Sequence, residues 1–226
     1  MTSIQIAIDG PASSGKSTIA KRIAKALQLV YIDTGAMYRA LTLAALEKKV
    51  DVSDELALTQ LLEQLTIHFE PTADGQKVYI NEQEVTAAIR EQAVSQNVSE
   101  VSSHEKVREQ LVHLQRELAG SQPVIMDGRD IGTVVLPHAT VKIFLVASVA
   151  ERARRRYIEN KERGIATDLE DIKASIMRRD QYDSSREHSP LKKAADAVEV
   201  DTTTLSIDEV VQKIIEIINK KVENTH

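Results

Sequence analysis

The sequence has no cysteine and no tryptophan, and only 3% of its 226 residues are aromatic. Without cysteine, disulfides and thiolate metal sites are excluded, which fits a reducing compartment. So few rings also argue against a stacking platform for single-stranded nucleic acid. Positive charge is not in surplus: the formal net charge is -5, whereas general nucleic-acid binders neutralise backbone phosphates with extra Lys and Arg. No apolar run approaches the roughly 20 residues of a membrane span. Only three residues precede the first expected strand, which leaves no room for a secretory signal. The expected address is cytoplasmic, with neither nucleic acid nor membrane as partner.

What is present is an ordinary globular composition, 42% apolar and 28% charged, long enough for one α/β domain with an insertion. The chain is organised around Gly10-Pro11-Ala12-Ser13-Ser14-Gly15-Lys16-Ser17-Thr18, which fits G-x-x-x-x-G-K-[ST] with one residue to spare. Upstream lies a strand-length apolar run, Ile4 to Ile8, and downstream Ile19, Ala20, Ile23, Ala24 and Leu27 recur at helical spacing. Strand, glycine turn and helix form the context a phosphate-binding loop requires. The glycines let backbone N–H groups converge on phosphate oxygens, and the helix N-terminus adds a favourable dipole. Lys16 brings a point charge to the outer phosphates, and the Ser17 hydroxyl is placed to ligate Mg²⁺.

Further along, Leu29 to Ile32 reads as a second strand ending at Asp33-Thr34-Gly35, where Asp33 or Thr34 caps the next helix. Ligands gather at the carboxyl ends of parallel strands, so Thr34, Tyr38 and Arg39 share a rim with the phosphate loop. From about Asp54 to Ala119 the alternation breaks. The expectation there is a leucine-rich helix and a small antiparallel meander with a hairpin at Asp74-Gly75. A helix opened by the capping box Ser102-x-x-Glu105 follows. On position alone, its Arg108 and Arg116 face solvent. Val124 to Met126 is a third strand running into Asp127-Gly128-Arg129-Asp130, with Asp127 directed at the Mg²⁺ shell, Gly128 permitting a tight turn, and Arg129 and Asp130 over the rim. Val141 to Val146 and Ala197 to Val200 complete a five-stranded sheet.

Between those last two strands, Glu151 to Asp180 is expected to form a hinged lid. Two helices are joined at Gly164, the second opened by the capping box Thr167-x-x-Glu170 and ending near Asp180. Arg152 and Arg156 lie one turn apart, suited to a nucleobase and to transferring phosphates. Asp183 and Arg186 fall in the loop beyond. A third capping box, Ser206-x-x-Glu209, opens the last helix.

The phosphate loop alone does not choose a reaction. A guanine-reading Asn-Lys-x-Asp is missing, because Asn160-Lys161-Glu162-Arg163 and Asn219-Lys220-Lys221-Val222 both lack the aspartate. A chain of this length has no room for the coupling domains of a large ATPase. A small kinase remains, and Arg39, Arg129, Arg179 and Arg186 at the rim indicate an anionic acceptor, since guanidinium groups grip phosphate bidentately.

The runs Ile8-Asp9-Gly10-Pro11, Asp33-Thr34-Gly35-Ala36-Met37-Tyr38-Arg39, Asp127-Gly128-Arg129-Asp130-Ile131-Gly132-Thr133-Val134-Val135 and Arg179-Asp180-x-x-Asp183-x-x-Arg186 resemble the bacterial cytidylate kinases over the whole chain. The resemblance implies the three-layer P-loop NTPase fold with a five-stranded parallel sheet, a small antiparallel nucleotide-binding insertion and a helical lid. The chain would be a single unit, with core at about 1–60, 97–150 and 181–226, insertion at about 61–96 and lid at about 151–180.

The reaction it implies is phosphoryl transfer from ATP, with Mg²⁺, to CMP or dCMP, UMP being poorer, by a monomer. Residues 10–18 would hold ATP, with Arg152 over the adenine. Ser99, Arg108 and Asp130 would read the cytosine edge, and Arg179 with Asp183 the ribose. Arg39, Arg129 and Arg186 would hold the acceptor phosphate in a pocket lined by Thr34 and Tyr38. Thr34 stands where many members have Ser. Lys16, Arg129, Arg156 and Arg186 would be catalytic, and Ser17 and Asp127 would serve the metal. Two alternatives stay open: another small-molecule kinase of this fold (UMP, shikimate or gluconate type), and a non-catalytic nucleotide-binding interaction protein.

Overall fold

Ile6 and Ile8 of the first strand point to one side of a sheet and Ala7 to the other, and this alternation of buried residues generates three layers. In the computed structural model the described residues are 4–72, 75–120 and 122–223. Among them, β1 (Gln5–Asp9), α1 (Lys16–Leu27), β2 (Val30–Asp33) and α2 (Thr34–Glu47) open the chain. They are followed by α3 (Glu55–Glu63), β3 (Ile67–Thr72), β4 (Gly75–Ile80), β5 (Gln83–Glu84), α4 (Gln92–Val101) and α5 (Glu105–Ala119). The second half comprises β6 (Val124–Gly128), β7 (Val141–Val146), α6 (Val149–Glu162), α7 (Leu169–Ser185), β8 (Val198–Asp201) and α8 (Ile207–Glu223). No helix of the described residues is long and apolar enough to cross a membrane.

Strands β2, β6, β1, β7 and β8 form, in that order, an all-parallel sheet. On one face Ile6, Ile8 and Ile143 pack against α1 and the stripe Val210, Ile214 and Ile218 of α8. On the other, Ala7, Val124 and Met126 meet Val112 of α5 and a π-helical turn at Ile131–Val135. The antiparallel sheet β3-β4-β5 packs with α2 to α5 in a separate apolar cluster. Every strand expected from the sequence is present. The Asp74 half of the Asp74-Gly75 hairpin lies outside the described residues.

The differences concern helix ends. Helix α4 was not expected, because its apolar residues Val94, Val98 and Val101 sit among Gln, Ser and Asn that read as loop. Ser102 therefore ends α4 instead of opening α5. His104 holds the N-cap of α5 without capping it, its ring bonding the Val52 carbonyl instead, so the expected capping box there is absent. Asp168, not Thr167, caps α7 through the N–H groups of Glu170 and Asp171. The Thr167 hydroxyl accepts from Asn160 instead. Helix α7 runs past Asp180 to Ser185, which puts Asp183 on a helix face one turn from Arg179. The Ser206 and Glu209 box forms as expected.

Candidate active site

The phosphate loop leaves β1 at Gly10 and enters α1 through Gly15, whose φ of 90° turns the free N–H groups of the first helical turn toward the loop. Lys16 is buried at 6% exposure, and its Nζ donates to the Pro11 carbonyl at 2.7 Å. Burial and the nearby Arg129 guanidinium hold its pKa well below the usual lysine range, against the pull of Asp127 and Asp9. The Ser17 hydroxyl donates to Asp127 Oδ2 at 2.8 Å, and Tyr31 donates to Oδ1 at 2.7 Å. Asp127 reaches this loop because β6 lies beside β1 in parallel register, Ile8 opposite Asp127. Burial and the Asp33 carboxylate raise the Asp127 pKa.

A second pocket adjoins the first where β6 ends, between α2, α4, α5 and α7. Five arginines (39, 108, 129, 179 and 186) and two aspartates (130 and 183) line it, so three positive charges remain in excess. Asp130 is ion-paired with Arg108 and lies 3.9 Å from Arg186. Asp183 accepts from Arg129 at 2.9 Å and stands 3.9 Å from Arg179. Burial, opposed by Arg129 and Arg179, acts on the Asp183 carboxyl, and the arginines prevail, lowering its pKa.

Burial and Arg129 pull Arg179 down to about 10, which leaves it charged at neutral pH. Tyr38 lies with its ring under the Arg108 guanidinium, 5.3 Å from centroid to carbon. Burial pushes its hydroxyl up to about 12, with the Arg108 guanidinium and the Gln115 side chain opposing the rise. The cavity measures about 60 Å³, less than the roughly 300 Å³ of a typical small-molecule site. With these pairs closed, the pocket has no room for a ligand of that size.

Helices α6 and α7 close the rim. Arg152 donates to the carbonyls of Ala12 (3.1 Å) and Ala147 (3.0 Å) and pairs with Asp180 at 2.6 Å. The base of the helix pair is thus joined to the phosphate loop. Arg156 is more exposed and pairs with Glu159 at 3.1 Å, near enough to Arg179 to depress its pKa.

A phosphate loop and an arginine-walled pocket meeting at one strand end are features of many kinases. The family model described as Cytidylate kinase matches residues 6–220. The chain belongs to the cytidylate kinase family. A cytidylate kinase of Lactobacillus gasseri is 59% identical over 221 residues, covering 98% of this chain and 96% of its own. One of Anoxybacillus flavithermus is 59% identical over 220 residues, covering 97% and 98%. A solved gluconokinase from Sinorhizobium meliloti superposes with a TM-score of 0.50 at 13% identity, over 98% of this chain and 95% of that one. At that identity it shows the shared fold alone.

Within this family member, most of the expected site residues converge. Thr34, Tyr38, Arg39, Arg108, Arg129, Asp130, Arg179, Asp183 and Arg186 all line the second pocket. Ser99 does not; from its helix the lining comes from Val98 and, just beyond, Ser102, whose carbonyl accepts from Arg108 at 2.9 Å. Arg108 is 3% exposed, contrary to its solvent-facing position on the helix, because Asp130 supplies a buried partner. Arg116 is exposed as expected, and from the surface it donates to the carbonyls of Val134 and Val135.

Two residues had no signal in the sequence. Tyr31 holds Asp127, and Arg90, on a 3₁₀ turn at Ala88–Arg90, stands 3.9 Å from Asp33, which also pairs with Arg39 at 2.8 Å.

Gly128 is not a turn residue of positive φ. A Cβ there would come within 2.7 Å of Thr34 Oγ1, whose hydroxyl donates to the Asp127 carbonyl at 2.8 Å. Gly128→Ala is therefore expected to cost about 1–3 kcal/mol through overpacking, measured by urea denaturation. Unchanged stability would mean that the strand end shifts freely.

Proposed function

We propose that this chain transfers the γ-phosphoryl group of ATP to CMP or dCMP, giving CDP or dCDP, as a monomer in the cytoplasm. The observation that carries the reading is the run Asp127 to Asp130. One end is bonded to Ser17 of the phosphate loop and the other is paired with Arg108 in the second pocket. Donor and acceptor phosphates would therefore meet head to head across Arg129.

Residues 10–18 hold the ATP phosphates, and Arg152 belongs to the adenine side. On the acceptor side, Asp130 accepts from the exocyclic amine of cytosine, which uracil replaces by a carbonyl that a carboxylate repels. Arg108 donates to the ring acceptors beside it, and Ser99 borders that base. Arg179 and Asp183 bind the sugar. Arg39, Arg129 and Arg186 clamp the acceptor phosphate, with Thr34 and Tyr38 closing the wall.

Ser17 and Asp127 fit Mg²⁺. Their oxygens are hard donors already 2.8 Å apart, and a magnesium site takes few protein ligands beside substrate phosphates. When bound, the ion neutralises charge on the transferring phosphate oxygens. Lys16, Arg156, Arg129 and Arg186 spread positive charge over the same group. The acceptor oxygen is already anionic, so no side chain needs to act as a general base. In this scheme 61–96 is the acceptor-binding insertion, 151–180 the lid, and the rest of the chain the core.

The test is a panel of CMP, dCMP, UMP, AMP, GMP, shikimate and gluconate with ATP and Mg²⁺, read by coupled ADP release. CMP and dCMP should turn over fastest and UMP more slowly, with no turnover of the sugar and shikimate acceptors. A faster rate with any non-cytosine acceptor sinks this reading, as does ATP binding without acceptor-dependent turnover.

A further inference from the structure

Asp9 closes β1 immediately before the phosphate loop and is 4% exposed, yet neither of its oxygens is used on the donor side. Oδ1 accepts from the Ile131 amide at 2.8 Å and Oδ2 from the Gly132 amide at 2.7 Å. These are the two residues that follow Asp130, and they open the π-helical turn Ile131–Val135. Lys16, a charged neighbour, spends its ammonium on Pro11 instead.

We propose that Asp9 is a positioning residue for acceptor recognition: by gripping the two amides after Asp130, it fixes the base-reading carboxylate in register with the phosphate loop. The inference rests on the assignment of Asp130 to the cytosine edge.

Three observations carry it. First, the grip needs a carboxylate. Each of the two amides meets its own carboxylate oxygen, and an asparagine would turn a donating NH2 group toward one of those N–H donors. Second, the backbone is cut to fit the grip. A Cβ on Gly132 would lie 3.3 Å from Asp9 Oδ2 and 3.1 Å from Lys142 Cδ, so only glycine lets that amide approach without moving its neighbours. Third, Asp130 has no side-chain cap of its own on the turn it begins; its φ of -139° and ψ of 24° are held from outside, by Asp9 below and Arg108 above. Burial pushes the Asp9 carboxyl up to about 7, and the two amides are the strongest groups opposing that rise. The carboxylate and the turn thus sustain each other, while Arg129, between Gly128 and Asp130, is carried along.

A residue of this kind changes the acceptor's affinity without changing the donor's. In the full-length enzyme, Asp9→Asn should raise the KM for CMP about tenfold, the loss expected from one hydrogen bond to a charged acceptor. The KM for ATP should change by less than about twofold on the same scale. Gly132→Ala perturbs the same contact from the other side and should give the same split, so it decides the matter if Asp9→Asn does not fold. Equal rises in both KM values, or an unchanged KM for CMP, would overturn the inference while leaving CMP phosphorylation intact. A wild-type enzyme that does not phosphorylate CMP would remove the functional reading and this inference with it.

Discussion

Lys16→Met leaves the protein folded and removes turnover. The side chains have similar length, so packing around α1 is retained, and the substitution removes a charge that the folded state disfavours. The sign follows from the depressed pKa of Lys16. At neutral pH the unfolded chain holds the proton more readily than the folded one, so folding bears a cost that methionine does not. Its hydrogen bond to Pro11, 2.7 Å long, is lost, and the two effects offset. The melting temperature should stay within a few degrees of wild type, where about 1 kcal/mol corresponds to roughly 2–4 °C for a chain of this size. Turnover should fall about a thousandfold, ~4 kcal/mol of barrier, because a preorganised positive group facing the transferring phosphate is gone. A variant that retains more than a tenth of the wild-type rate, or that melts far earlier, contradicts the account.

Asp130→Ala should do the opposite and damage both the fold and acceptor recognition. Among the described residues, buried Arg108 has Asp130 as its only carboxylate partner at hydrogen-bond distance, and its Nε has no partner. Arg186, with a side chain 4% exposed, lies on the far side of the same carboxylate. Burial and then Arg108 lower the Arg186 pKa, while Asp130 raises it. Taking the carboxylate away leaves two buried cations facing each other, expected to cost about 3–5 kcal/mol. Urea unfolding measures the first effect. The KM for CMP measures the second and should rise far more than the KM for ATP. Loss of stability with both KM values unchanged would make Asp130 a structural residue only.

Much of this arrangement was legible in the sequence, for reasons that differ from place to place. The parallel strands are short apolar runs with no competing helical period, so Val124 to Met126 and Val141 to Val146 could be read directly. Each carboxyl end was then a place for chemistry. Arg108 was not legible from position, because on a helix flanked by Glu and Gln only a partner from another strand end can bury it. The extent of α7 was missed for a similar reason. Asp183 looks like part of a polar loop until its partner Arg129 fixes it on the last turn of the helix. The capping boxes failed where a better cap lay next door: Asp168 displaced Thr167, and the unrecognised end of α4 claimed Ser102. Asp9 belonged to a recognisable run, but its partners were hidden, since one carboxylate before a glycine loop says nothing of amides 122 and 123 positions away.

Helix α7 is 17 residues long, a rod of about 25 Å at 1.5 Å per residue. Asp180 on it is latched through Arg152 to the Ala12 carbonyl, and one turn on, Asp183 is latched to Arg129. A rod swings as a piece. On the proposed assignment of the two pockets, a lift from the phosphate loop would also withdraw Asp183 from the acceptor pocket, so one movement would serve both guests.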